Sequence, residues 1–220
     1  MTFSDFLTPV LLSLKVAILA SILVLLLGVG TAWWMRRRTF KGKLLLETVF
    51  MLPLVLPPTV VGFILLVLLG RRSWIGKLAE AIFASPILFS WWAAVLASIV
   101  VSFPLVYQTM KTGFGSIDRS LEEAARSAGA SDRQVFRYIS LPLALPSSMT
   151  AFILGFARSL GEFGATLMIA GNIPGRTQTL PTAIYVAVDA GHTAMAWVWT
   201  ISIIVISFLL LLITYRKARD

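Results

Sequence analysis

The stretch EEAARSAGASDRQVFRYISLPLALP, Glu122 to Pro146, decides how this chain is read. Its neighbours on both sides are greasy, yet it carries Glu122, Glu123, Arg126, Asp132, Arg133 and Arg137 with small residues packed between them. Ser120-x-x-Glu123 has the form of a capping box, and Ala124, Ala125 and Ala128 are strong helix formers. Gly129 stands where a helix ends in a left-handed residue. Ser131-x-x-Gln134 is a second capping-box start, and Pro142 and Pro146 are expected to end that helix and lead into the next apolar run. The pattern predicts a compact helix–turn–helix. Two short helices joined by a sharp turn make a rigid knob that can transmit force.

The chain around this knob belongs to a lipid environment. Of 220 residues, 58% are hydrophobic and only 13% charged, where a soluble domain carries about a quarter charged. Mean hydropathy is +0.87. Apolar runs predict five membrane spans, at about Pro9–Met35, Glu47–Leu69, Ser85–Met110, Ser147–Gly171 and Ala194–Tyr215. The first is too long for a signal h-region and is expected to stay as a span, with Lys15 snorkelling at its outer end. Ser85-Pro86 reads as the cap and first turn of the third. The fold class is therefore an all-α polytopic membrane protein, a single domain over 1–220 with the charged module at 111–146 inside it.

Lysine and arginine orient the bundle. Thirteen of them follow the first, third and fifth spans, in RRRTFKGK, in the opening module with its Lys111, and in the tail YRKARD; four (Arg71, Arg72, Lys77 and Arg176) lie on the other side. The N-terminus is expected outside, the C-terminus and the module in the cytoplasm. The net charge of +9 is explained by this topology and does not call for nucleic acid. The chain has no cysteine and one histidine, His192, which excludes disulfides, thiolate chemistry and a Cys/His metal centre. It has no phosphate-binding loop of the Gly-x-x-x-x-Gly-Lys-Ser/Thr type.

Two further stretches bear on function. Pro53, Pro57 and Pro58 in LPLVLPP favour a broken helix whose freed carbonyls are buried or line a pathway. GFARSLGEFGATLMIAGNIPGRTQTLPTAIY, Gly155 to Tyr185, puts Arg158 and Glu162 four apart on one helix face near membrane depth, with Ala157, Gly161 and Ala165 as a ridge of small residues. Two roles compete for the pair: lining or gating the path of an anion, or locking an interface as a structural ion pair. Asn172, Pro174 and Gly175 predict a turn. Pro181 to Asp189 predicts a short helix closed by Gly191, lying at the interface or plugging the mouth of the bundle. The lone His192 is read as an interface residue, and Trp33, Trp34, Trp91, Trp92, Trp197 and Trp199 as interfacial anchors.

The spacing Glu123-Ala124-Ala125, Gly129, then Ile139-x-Leu141-Pro142 resembles the EAA loop of the membrane subunits of binding-protein-dependent ABC importers. Together with Leu52–Gly70 and Gly155–Tyr185, nearly the whole chain resembles the permease subunit of molybdate ABC transporters, and sulfate permeases less closely in NIPGRTQTLP. The resemblance implies the fold of MetI-like importer permeases. It implies that Glu123, Ala124, Ala125, Gly129, Ile139, Leu141 and Pro142 couple to a cytoplasmic ATPase, the acid offering a partner to a basic residue. It implies a second copy of the chain, two ATPase subunits that use ATP-Mg, an extracytoplasmic oxyanion-binding protein and the lipid bilayer of the inner membrane as partners. The chain itself would bind no cofactor and catalyse nothing. Arg158, Glu162, Gly161, Gly164, Thr166, Pro57 and Pro58 form the expected path or gate. Arg176 departs from the family picture, in which an acid is as common at that turn. A competing class, an intramembrane enzyme or proton-coupled carrier, lacks its marks: no membrane-depth nucleophile with a base, no carboxylate chain, and five spans that do not divide into equal halves.

Overall fold

The computed structural model describes residues 3–83 and 85–217, and every regular element among them is helical. Three helices form the centre: α1 (Phe3–Arg37), and two more at Trp91–Gly115 and Leu145–Leu160. They approach closely because glycines sit at the crossings. A Cβ on Gly28 would lie 2.7 Å from Val106 Cγ1, one on Gly155 2.9 Å from Val106 Cγ2, and one on Gly113 would run into Ser147. Small residues at such contacts let backbones pack where lipid gives no hydrophobic drive between helices. Val24, Val106, Tyr107, Met110, Phe114 and Ala151 fill the space that results.

Between α1 and the next central helix lie α2 (Lys43–Val55), α3 (Pro58–Leu69) and α4 (Trp74–Phe83). The prolines do break the second expected span, by 114°. Leu56 and Pro57 each precede a proline, which pushes a residue out of the helical region; their ψ values are 144° and 136°. Pro58 then opens α3, where its fixed φ suits the first turn. Pro53 lies inside α2 without ending it. The short α4 was not expected from the sequence.

The third expected span begins later than its Ser85-Pro86 signal suggests. The central helix α5 (Trp91–Gly115) starts after Ser90, whose hydroxyl donates to Ile87 O at 2.6 Å. The segment before it is held as a turn because Phe89, at φ 59°, gives its N–H to Ile169 O at 2.8 Å. Lys15 lies over the Trp91 ring at 3.7 Å from its centroid, a cation–π contact near the end of α5. Pro104 does not interrupt α5.

The charged module follows as α6 (Arg119–Ser127), α7 (Asp132–Val135), a π-turn (Phe136–Ser140) and α8 (Leu141–Leu143). Pro142 does not end the second helix. The wide turn ahead of it, with Leu141 N–H reaching Phe136 O, carries the chain through to Ala144. There it bends by 70° into α9 (Leu145–Leu160), with Pro146 in the first turn.

The fourth expected span is also interrupted. The 16 residues of α9 reach about 24 Å at 1.5 Å each, short of the hydrocarbon core. The chain turns at Gly161–Phe163 and resumes as α10 (Gly164–Ala170). That break takes Ala165 off the face of Ala157 and Gly161, so the expected small-residue ridge does not exist as one surface. Ala165 instead backs onto Gly62 of α3, where an added Cβ would come within 2.8 Å of its Cα. The turn after α10 forms as expected, with Gly175 at φ 75° and the N–H groups of Arg176 and Thr177 on Ile173 O. The short helix is α11 (Leu180–Asp189), ended by Gly191 at φ 76°. The last element, α12 (Thr193–Lys217), shows most of its apolar side chains on the surface. By length and composition α1, α5 and α12 can each cross a membrane; two bent pairs, α2 with α3 and Asp132–Leu143 of the module with α9, bring the number to five if each is one span.

Candidate functional site

The charged module sits on the ends of α1 and α5. Its first helix is capped by Asp118, which accepts the Ser120 N–H at 2.9 Å, and not by Ser120 itself. The helix therefore begins one residue before Ser120, and the Ser120-x-x-Glu123 pairing does not form. Gly129, at φ 90°, ends it: Ala130 N–H reaches Ala125 O at 3.0 Å and Gly129 N–H reaches Arg126 O at 2.9 Å, the paired bonds of a Schellman end. Ser131 and Gln134 form a reciprocal capping box, as their spacing predicts.

Two acids adjacent in sequence part company here. Glu122 is buried; its Oε1 lies 2.8 Å from Arg36 Nη1 and accepts the Ser140 hydroxyl at 2.8 Å. Arg36 also donates to Ile117 O at 3.3 Å, and Arg37 pairs with Asp132. Trp33 packs on Phe114 and Phe136 with ring centroids 5.5 and 5.0 Å apart. The module is thus bolted to α1 from both of its helices. The Arg37 guanidinium beside Asp132 holds that carboxyl below its usual 3.8, and the Ser120 N–H does the same for Asp118. Glu123 and Ala124 face outward, as do Gly129 and Pro142, with Ala125, Ile139 and Leu141 half-buried. Leu121, Tyr138 and Leu143 add exposed apolar side chains around them.

The second site lies where the two broken spans meet. A Cβ on Gly164 would come 3.0 Å from Pro58 Cβ and 3.3 Å from Thr59 N, so the start of α10 rests on the start of α3. Pro57 and Pro58 are exposed, Gly164 and Thr166 buried, Gly161 exposed. Arg158 Nη1 stands 2.8 Å from Glu162 Oε2. The pair is in charge contact but too poorly aligned for that oxygen to receive a hydrogen bond. Glu162 Oε1 accepts the Ala165 N–H at 2.8 Å, which places a carboxylate at the N-terminal end of α10, where helix N–H groups and dipole favour it. Its side chain is 1% exposed against 29% for Arg158. Around it cluster Ser13, Ser98, Ser159 and Thr179, with Ser102 and Ser159 hydroxyls 2.9 Å apart and the Leu180 N–H donated to Ser13. This region holds no free volume for an anion.

Residues 6–219 match the model of the binding-protein-dependent transport system inner membrane component family. The chain belongs to that family. YvgM of Bacillus subtilis (strain 168), provisionally named a molybdenum transport system permease protein, is 59% identical over 97% of this chain and 94% of its own. ModB of Escherichia coli (strain K12), a molybdenum transport system permease protein, is 47% identical over 96% and 92%. Among solved structures, a chain of the MetNI methionine ABC transporter in inward-facing conformations superposes with a TM-score of 0.74 over 100% of this chain and 98% of its own, at 16% identity.

The family has non-catalytic permease subunits as its members, and this permease presents the all-helical importer fold. Sequence reasoning saw Glu122 only as a charge in the module. Arg36 was counted for topology, and nothing local in RRRTFKGK announces that it reaches residues 81 and 86 positions away. The capping role of Glu162 was missed because the break that creates it contains no proline.

Proposed function

We propose that this permease is the membrane-spanning subunit of an ATP-driven importer for molybdate, working as a homodimer with two cytoplasmic ATPase subunits and an extracytoplasmic binding protein. Molybdate is favoured because the relatives at 59% and 47% identity both carry molybdenum transport names. The observation that carries the coupling role is the division of labour at residues 122 and 123. Glu122 is spent inside the chain, tying the module to α1, while Glu123 stands on the outer surface beside Ala124 and half-buried Ala125. Segment 111–146 then acts as one lever within a single domain. An ATPase that grips Glu123, Ala124, Ala125 and Gly129 on one side, and Ile139, Leu141 and Pro142 on the other, moves α1 and α5 with it. ATP binding draws the two levers together and favours the outward-open state; hydrolysis returns the inward state. The N-terminus lies outside and the basic end of the bundle in the cytoplasm.

In this reading Arg158 and Glu162 are a structural pair. A neutralised, buried carboxylate that also caps α10 holds the junction of the two broken spans, with Gly161, Gly164, Thr166, Pro57 and Pro58 shaping that junction. The test is ATP-dependent uptake of labelled molybdate, tungstate and sulfate by the permease reconstituted with its ATPase and binding protein. Molybdate uptake is expected, together with its loss in Glu123→Arg while the variant stays in the membrane. Wild-type uptake by Glu123→Arg would remove the coupling role.

A further inference from the structure

One face of α5 has no place in the packing. Val106, Tyr107, Met110 and Phe114 are buried in the core, while Gln108, Thr112 and Ser116, spaced by four on another face, are exposed. Gln108 is set back from the end of the helix, and Thr112 and Ser116 lead from it to that end. Gln108 is seven residues from the end of α5 at Gly115, about 10 Å inward at 1.5 Å per residue. With Thr109 and with Ser147 and Thr150 of α9 they line a groove of about 450 Å³. An amide and a row of hydroxyls at that depth cost free energy against lipid, so such a face turns to protein or to a water-filled space.

We propose that this groove is the inner section of the oxyanion path, an uncharged passage that a hydrated tetrahedral dianion crosses on hydroxyl and amide donors; the assignment rests on the importer reading above. The chemistry fits the task. A passage must bind weakly enough to release, and the groove is lined by no charged side chain among the described residues. The groove has room for waters beside an anion, so the anion need not be stripped bare. Thr109, Ser116 and Thr150 hydroxyls donate to carbonyls of their own helices at 2.8, 2.9 and 3.1 Å and can rotate outward, whereas the side chains of Gln108 and Thr112 have no hydrogen bond among those of the described residues. The groove abuts the last turns of α5 that carry the module, so the lever moves its wall directly. The charged pair at Arg158 and Glu162 is left as scaffolding.

The chain has no cysteine, which makes the test clean. Gln108→Cys, Thr112→Cys and Thr150→Cys are introduced singly into the full transporter and treated in inside-out vesicles with the anionic thiol reagent methanethiosulfonate ethylsulfonate, and uptake is then measured after reconstitution of the treated transporter into proteoliposomes with ATP inside and the binding protein outside. Phe208→Cys on the exposed face of α12 is the lipid-facing control. The groove cysteines are expected to label, to label several-fold more slowly under saturating molybdate, and to lose most of whatever uptake each variant had before labelling; Phe208→Cys neither labels nor changes. Unreactive groove cysteines, labelling that molybdate does not slow, or uptake that survives complete labelling overturns the proposal. Three positions keep the test alive if one variant fails to assemble. Absence of ATP-driven uptake of any of the three anions by the unsubstituted transporter would instead remove the importer reading itself.

Discussion

One step along a helix turns a side chain by about 100°, and at Glu122 and Glu123 that step separates a buried, paired carboxylate from an exposed one. Glu122 and Arg36 are 8% and 14% exposed. Removing one partner from a buried pair leaves the other charge stranded, at about 3–5 kcal/mol, and the residual exposure of Arg36 places this pair at the lower end. Glu122→Gln is expected to lower the thermal midpoint of the purified permease, Arg36→Ala likewise, and the double variant by less than the sum of the two, the signature of a shared contact. Glu123→Ala is expected to leave that midpoint unchanged. Additive losses in the double variant would show that the two residues act separately. Both Asp118 and Asp132 have carboxyls held below the usual 3.8 in the folded chain. Groups of that kind contribute stability above their unfolded value and lose it only as pH falls through the lower, folded one. Protease protection of segment 118–132 should therefore be flat from pH 7 to pH 5 and decline only in stronger acid; a midpoint near the histidine range would contradict the assignment.

Elements show which kinds of signal a sequence can carry. Gly129 sits at φ 90° with nothing within 4 Å of where a Cβ would stand, so substitution there is a matter of backbone strain alone. A non-glycine residue in that region costs about 1–2 kcal/mol. Gly129→Val is expected to weaken recovery of the ATPase complex after detergent extraction, and Gly129→Asn to do so less, because asparagine tolerates the left-handed region. Equal recovery for both would mean the turn is not what the ATPase reads. That turn, the Ser131–Gln134 box, the break at Pro57-Pro58 and the helix closed by Gly191 were all legible because their causes lie within a few residues. The other breaks were not. Gly161–Phe163 interrupts an apolar run without a proline. Its stability comes from Glu162 capping α10 and from Pro58 lying against Gly164, contacts with no local sign. Pro142 gave a stop signal that the π-turn overrides, and Asp118 took the cap that Ser120 advertised. Phe89 is held at positive φ by a bond to Ile169, eighty residues on, so the true start of α5 could not be read from Ser85-Pro86.

At the scale of the molecule, the bundle has two unlike ends, and the difference is electrostatic. Arg36, Arg37, Lys43, Lys111, Arg126 and Arg133 gather where α1 and α5 end and the module rests, while Arg71, Arg72, Lys77 and Arg176, with Lys15 over Trp91 at the start of α5, are what the other end offers. Part of the first group is neutralised internally: Arg36 by Glu122, Arg37 by Asp132, Lys111 by Glu47 at 2.9 Å. The orientation rule counts lysine and arginine and gives acids little weight, so those pairs do not weaken it, and they fix the basic residues close to the bundle, where the rule applies. If the module is the proposed lever for a cytoplasmic ATPase, it must be reachable from inside only. Ser127, exposed on the module, and His192, exposed at the opposite end, serve as reporters in a chain without cysteine. Ser127→Cys should react with a membrane-impermeant maleimide in inside-out vesicles and stay silent in intact cells, and His192→Cys should do the reverse. Labelling of Ser127→Cys from outside intact cells would put the module beyond the reach of any ATPase, and the coupling role, the importer mechanism and the inner position of the α5 groove would fall together.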